Sequence, residues 1–568
     1  MTTMRGLRLG LMMGAGVLAL ASAVQAATPD DEARDARIAK LEQAVASLES
    51  RVEQDAALEQ QNVELKGEVG DLQAQVADLK SQQGAEIAQI QTVQESVPAK
   101  PSALASFVSG KPTLTSADGK FTATLHGVMQ LDTAAYFQNA VGPTSTDFRR
   151  DGPALGASAT NVDAAHARDL KDGDLFRRAR IGLDGTAYGD WDYRLVFDFG
   201  GAGTEDAGQV YETWVQYSGL KPFHIRVGAF PPQIGMEDQA STNGMPFLER
   251  SVDSDLSRGL AAGDTRTAAE VFGGGDHWLI SGAVTGRTIG VLNTGTPTGA
   301  AQSYGDQLGL VGRAAVSPLY GPDWLIHFGV HGSYVVHPAD TTGPGTGGVL
   351  ASNSEVVAFA NTPELRVDGT KLINTGNIDA THAATVGLEF AAQKANFLLQ
   401  SEYDYFTVDR DDGTPAAPVD NPHFQGYYVE GLWMLTGEAR KYNTQTGAFD
   451  APPVAHPFSL SGGTWGAFEF GLRYSDMNLN FEPGAAGTYV TSPSTIRGGD
   501  EQNFTAGLNW YLNPVVRFMF DYQYVRISRM SPATTASNAS SIWLLPAGGG
   551  LPIGQAYSAI AVRSQIAF

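Results

Sequence analysis

The sequence predicts an all-β fold, a transmembrane antiparallel β-barrel, with an α-helical coiled coil ahead of it. Along most of the chain, segments of about ten residues alternate apolar with polar, as a strand does when one side meets lipid and the other water. Composition agrees. The 568 residues include 66 glycines, only 17% are charged and mean hydropathy is −0.15, whereas a soluble domain carries about 25% charged residues. The helix is predicted by heptads between residues 38 and 93.

Residues 1–26 have the order of a secretory signal peptide: Arg5 and Arg8, a short apolar core from Leu9 to Leu20, and small residues before a cut at Ala26/Ala27. No later apolar run reaches the ~18 residues a membrane-spanning helix requires. Residues 27–97 are the predicted coiled coil. Ile38, Val45 and Val52 form one seam position and Leu41 and Leu48 the other. A second phase sets Val69, Val76 and Ile90 against Leu65, Leu72, Leu79 and Val93 after a slip of three residues. So narrow a stripe calls for partner strands. Asn62 and Gln83 on the seam leave the number of strands open. Residues 98–117, with Pro98, Pro101 and Pro112, read as a linker.

From residue 118 to 568 the period is two. Tyr193, Leu195, Phe197 and Phe199 oppose Asp192, Arg194 and Asp198. Val516, Phe518, Phe520, Tyr522 and Tyr524 oppose Arg517, Asp521 and Gln523, and Ile560, Val562, Ile566 and Phe568 oppose Arg563 and Gln565. Tyr188, Trp191, Tyr217, Trp324, Trp510 and Tyr511 fall near strand ends, where a membrane interface favours amphipathic rings. Tight links such as Gly189-Asp190 and Asn513-Pro514 contrast with long polar ones near 139–170, 337–380, 407–424, 440–458, 480–502 and 528–555. Those lengths predict outward-facing loops. Such a sheet must close on itself, because unpaired backbone groups in lipid each cost several kcal/mol.

Several blocks resemble the phosphate-selective porin O and P family of outer-membrane channels: Phe176 to Leu183 with Trp191-Asp192-Tyr193, Ile225 to Pro232 with Glu237 and Phe247 to Ser251 after it, Leu435 to Tyr442, Gly466 to Ser475, and Gly507 to Pro514. The resemblance implies a 16-stranded barrel with a polar pore, a homotrimer in outer-membrane lipid, and a periplasmic N-terminal segment. It implies basic pore residues that pass small ions or phosphate-like anions. Arg177 and Arg178 match the family's paired arginines, and Arg178, Arg180, Arg194 and Arg226 share the polar face, with Arg177 on the other. These five are the pore-lining candidates, and Glu237, Glu249 and Arg250 the constriction candidates. No sustained arginine run or lysine cluster accompanies them, and Asp184, Asp192, Asp198 and Glu212 offset the inward arginines. Family resemblance alone therefore does not carry phosphate selectivity.

Other chemistries fare worse. There is no cysteine, so no disulfide, thiolate metal site or cysteine nucleophile. The net charge of −23 argues against nucleic acid as a partner. His327 and His331 are four apart on a strand, about 13 Å, too far for one ion at ~2 Å from both. Glu402 and Asp404 read as pore lining. Gly273-Gly274-Gly275 and Gly548-Gly549-Gly550 lack the Lys-Ser/Thr of a phosphate loop. No enzyme and no cofactor are expected. A passive channel is the first reading. The alternative is a general or cation-preferring pore, or a tether joining the membrane to the cell wall through the coil.

Overall fold

The computed structural model describes residues 42–43, 46–47, 63–64, 66–83, 104–108, 111–138, 170–201, 208–261, 265–289, 307–321, 324–340, 355–410, 419–532, 550 and 554–568. The predicted signal peptide and most of the predicted coil lie outside them. The chain divides into two units, Met1–Lys100 and Pro101–Phe568. In the first, the described residues are helical, and Val69, Leu72, Val76 and Leu79 are exposed along one stripe.

The second unit is a closed antiparallel barrel of 16 strands. In order they are β1 (Thr122–Gln138), β2 (Gly173–Ala187), β3 (Trp191–Asp198), β4 (Gln209–Leu220), β5 (Phe223–Phe230), β6 (Arg266–Gly274), β7 (Trp278–Thr288) and β8 (Leu308–Tyr320). Then follow β9 (Trp324–His337), β10 (Ile378–Lys394), β11 (Phe397–Arg410), β12 (His423–Met434), β13 (Ala467–Phe481), β14 (Ile496–Tyr511), β15 (Val516–Ser528) and β16 (Ala556–Ala567). Each strand pairs with its neighbour in sequence, and β16 pairs with β1 from Tyr557↔Gln138 to Ala567↔Val128. Alternation is visible as burial: β12 reads exposed and buried in strict turn from His423 to Met434. From Tyr427 to Trp433 the exposed set, Tyr427, Val429, Gly431 and Trp433, is free of charge because it faces hydrocarbon, and the polar His423 and Gln425 lie toward the strand's start.

The segment 98–117 is not simply a linker. Leu104–Val108 and Lys111–Thr115 form a hairpin whose second strand continues onto β1 through Thr113↔Thr124 and Thr115↔Thr122. Pro112 lies in this short strand at the sheet's margin, a place where a missing N–H is tolerated. The aromatic band holds for Tyr188, Trp191 and Trp324, all exposed at the short-turn rim. Tyr511 departs from it: it turns inward, and its hydroxyl donates to Glu469 Oε2 at 2.9 Å.

Loop length misplaces one connection. Residues 435–466 join β12 to β13 at the rim of short turns, beside 395–396 and 512–515. They do not project outward. Arg440 pairs with both oxygens of buried Glu469 at 2.6 and 2.7 Å, and the Tyr442 hydroxyl reaches His327 Nδ1 at 2.7 Å. Length alone does not say to which rim a loop belongs.

Candidate functional site

In the connection between β5 and β6, residues 231–261 fold into the lumen. They carry α1 (Met236–Gln239) and α2 (Val252–Ala261). Three glycines on adjacent strands receive this segment. Gly426, Gly471 and Gly507 face inward on β12, β13 and β14. A Cβ at Gly471 or Gly507 would stand 3.0 Å from the Phe247 ring, and one at Gly426 2.8 Å from Asp253 Cβ. Glycine inside a strand here marks the close approach of another chain segment.

Polar wall residues then hold the loop through its own backbone. Arg563 donates to Leu248 O at 2.6 Å, Arg517 to Met245 O at 2.9 Å and Arg473 to Glu249 O at 3.0 Å. Asn509 donates to Pro246 O at 2.7 Å, and Asp521 accepts from the Leu248 N–H at 2.8 Å. From the short-turn rim, Arg440 donates to Gly244 O at 2.7 Å. The α1 end is fixed by Glu402, which accepts from the N–H groups of Met236 and Glu237. Glu402 therefore anchors the loop rather than lining open water, and His327 and His331 stand behind it. Glu389 accepts from Arg313 at 2.8 and 2.7 Å and lies 3.0 Å from His327 Nε2 and 2.9 Å from His331 Nδ1. Among the described residues, His331, Glu389 and Glu402 bring ligand atoms within 4.8 Å of one another. The Arg313 guanidinium occupies both Glu389 oxygens, so the group reads as an ion-pair network.

The structure places the eight predicted site residues as follows. Arg178 faces in and donates to Gln130 at 2.7 Å. Arg177 faces in as well, against the alternation. A bulge takes the register from Gln130↔Arg178 to Leu131↔Phe176, so Arg177 is the extra residue and both arginines point to the lumen. It pairs with Glu249 through two bonds of 2.6 and 2.9 Å. Arg180 pairs with Asp198 at 2.7 Å and lies over the Tyr211 ring, 3.5 Å from its centre. Arg194 lies 3.2 Å from Glu212 and 3.8 Å from Asp184, and Arg226 donates to Gln216 between the rings of Trp214 and Phe272. Glu237 pairs with Arg473 at 3.0 Å and accepts from the Ser251 hydroxyl at 2.7 Å. Glu249 also meets Arg563 at 2.9 Å, and Arg250 donates to Asp238 O at 3.1 Å. Burial raises the Glu249 carboxyl, but the guanidinium groups of Arg177, Arg178 and Arg563 outweigh it and hold the group well below the usual carboxylate range.

These residues do not form one ring. Arg177, Arg178, Arg180 and Arg250 border a cavity of about 680 Å³ between the β2–β4 wall and α2. Arg194 and Arg226 lie away from it. Three further bases complete the cavity lining: Arg258, Arg366 and Lys371, against the acids Asp198 and Asp255. Arg258 and Arg366 both pair with Asp255, while exposed Lys371 makes no ion pair among the described residues. Sequence reasoning missed these three because Arg258 sits on the short helix α2 inside the inward loop, and Arg366 and Lys371 lie outside any strand, where no period applies. It also left out Arg517 and Arg563, whose polar side the alternation did reveal, and Arg473, which entered only within the block Gly466 to Ser475.

Residues 152–543 match the family described as phosphate-selective porin O and P. Porin O of Pseudomonas aeruginosa is 25% identical over 393 residues, covering 67% of this chain and 83% of that protein. Among solved structures, an anion-selective porin from Comamonas acidovorans is 12% identical with a TM-score of 0.40, covering 79% of this chain and all of that one. The outer membrane channel DcaP of Acinetobacter baumannii is 10% identical with a TM-score of 0.39, over 79% of this chain and 97% of that one. With a family match across more than half its length and a barrel that closes as such a channel requires, the chain belongs to the phosphate-selective porin O and P family of the outer membrane.

Proposed function

We propose that this channel passes small anions, phosphate-like ones included, by passive diffusion past the inward loop. One observation carries the reading: seven basic and two acidic side chains border the 680 Å³ cavity, in a chain whose net charge is −23. Charged rings in a constriction select by the sign of what enters, and binding must stay weak enough for release. Arg180, stacked on Tyr211, and Lys371, which makes no ion pair among the described residues, offer the cationic surface. Arg177, Arg178 and Arg250 contribute field, while the hydrogen bonds of Arg177 and Arg250 hold the loop and that of Arg178 goes to Gln130 on the wall. Barrel and family indicate a channel rather than an enzyme.

Planar-bilayer recording in a potassium chloride gradient tests this. The wild type is expected to reverse at an anion-preferring potential, and Arg180→Gln with Lys371→Glu to move it toward cations at nearly unchanged conductance. A cation-preferring wild type, or no shift in the double variant, overturns the proposal.

We further propose a homotrimer, with residues 27–97 as a periplasmic coil and 98–117 leading into the barrel. The exposed Val69, Leu72, Val76 and Leu79 stripe supports pairing between copies. Cross-linking with and without residues 27–97 tests the pairing, and a cell-wall pull-down tests whether that coil also acts as a tether.

A further inference from the structure

On the lipid-facing side, two neighbouring cross-strand rows can be read from the register of β9 to β13. The row beside the short turns is Trp324, Lys394, Phe397, Trp433 and Phe470. The next row in is Ile326, Ala392, Leu399, Gly431 and Leu472. A course of large rings thus borders a course interrupted by Ala392 and Gly431, and between them opens an apolar groove of about 460 Å³. That falls within the roughly 300–1,000 Å³ typical of ligand sites. Phe397 and Trp433 stack at 5.4 Å and 10° along its edge.

Nothing in the fold requires the glycine. Gly431 is absent from the positive-φ residues, and a Cβ there would meet nothing within 4 Å. What its bare backbone does is leave the groove open. At the groove's end, Lys394 lies over the Trp324 ring, 4.5 Å from its centre, and makes no ion pair among the described residues. This cation stands at the headgroup level of the leaflet that the short-turn rim faces, the periplasmic one. Aromatic rings and a snorkelling lysine anchor an interface in general. A cation at one end of an apolar slot fits one occupant more narrowly.

We infer that this groove is a binding site for an anionic phospholipid of the periplasmic leaflet, its acyl chain over Ala392 and Gly431 and its phosphate on Lys394. A phosphatidylglycerol meets both demands. Phosphatidylethanolamine offers the same chain, but its own ammonium competes with Lys394 for the phosphate.

The test is native mass spectrometry of the full chain in detergent, with added phosphatidylglycerol or phosphatidylethanolamine. Wild type is expected to retain phosphatidylglycerol in preference. Gly431→Trp, which fills the groove, should abolish that preference. Lys394→Gln should weaken phosphatidylglycerol retention about five-fold, as one lysine at a membrane surface would. Single-channel conductance monitors folding, since the groove lies outside the lumen. If Gly431→Trp does not insert, Lys394→Gln decides alone. Equal retention of both lipids by wild type, or undiminished preference in Lys394→Gln, overturns the inference. So does a change in the number of chains per particle in Gly431→Trp, which would make the groove a contact between copies.

Discussion

The two sides of the lumen put arginine to different ends. On β13, β15 and β16, Arg473, Arg517 and Arg563 are almost wholly buried and donate to carbonyls of the inward loop. On β2, Arg180 lies beside the cavity, balanced by Asp198 and backed by Tyr211. Residue type and facing are the same on both sides. What differs is how far another chain segment has taken the guanidinium: loop carbonyls hold the first three at 2.6–3.0 Å, while Arg180 reaches the loop only through Thr242 Oγ1 at 3.4 Å. An inward arginine in a pore is therefore a loop fastener or, as proposed for Arg180, an ion contact, according to what stands opposite it.

The comparison breaks most readily at Arg563. Arg563→Ala leaves Asp132 and Glu249 without the cation they share, and removing one partner of a buried pair costs about 3–5 kcal/mol. The expected result is a lower urea midpoint and a wider, noisier channel, read by unfolding in detergent and by single-channel recording. Normal stability and conductance would make Arg563 no fastener.

A smaller effect is expected at Gly507. In Gly507→Val the added carbons press on Phe247 and on Asp521 Oδ1, and overpacking of this kind costs about 1–3 kcal/mol. The loop should dock less firmly, raising conductance and weakening anion preference only in part, because Arg250 and Arg258 ride on the loop while Arg180 stays on β2. An unchanged preference would leave Arg250 and Arg258 without a part in it.

The smallest effect concerns pH. Glu249 is held below its ordinary value in the folded protein. Its ionised form thus stabilises the docked loop above ~4.3, the ordinary glutamate value, and this stabilisation is lost as pH falls toward the lower folded value. Conductance should stay flat from neutral pH to about 5 and rise only in stronger acid. A step between pH 7 and 5 would assign docking to other groups.

Much of the barrel was legible because lipid and water impose opposite demands on alternate residues: the Val516 to Tyr524 alternation reappears as the exposed face of β15. The number of strands was not, since it came from resemblance. Arg177 was misplaced because a bulge adds one residue and moves the count to the other face. Residues 440–458 were misplaced because length carries no information about rim. The inward loop itself had no period to betray it, yet Gly426, Gly471 and Gly507 marked its landing ground. A glycine on the water side of a strand, where any polar residue would serve, is a signal worth reading in such sequences.

One feature of the seam reaches beyond conduction. Gln130 and Gln565, bonded at 2.8 Å across β1 and β16, are 435 residues apart in the chain. Throughout synthesis and export, β1 thus carries a bare edge whose mate emerges only hundreds of residues later. The circle can therefore shut only after the last strand has arrived, and the order of arrival along the chain is the reverse of what closing the ring early would need.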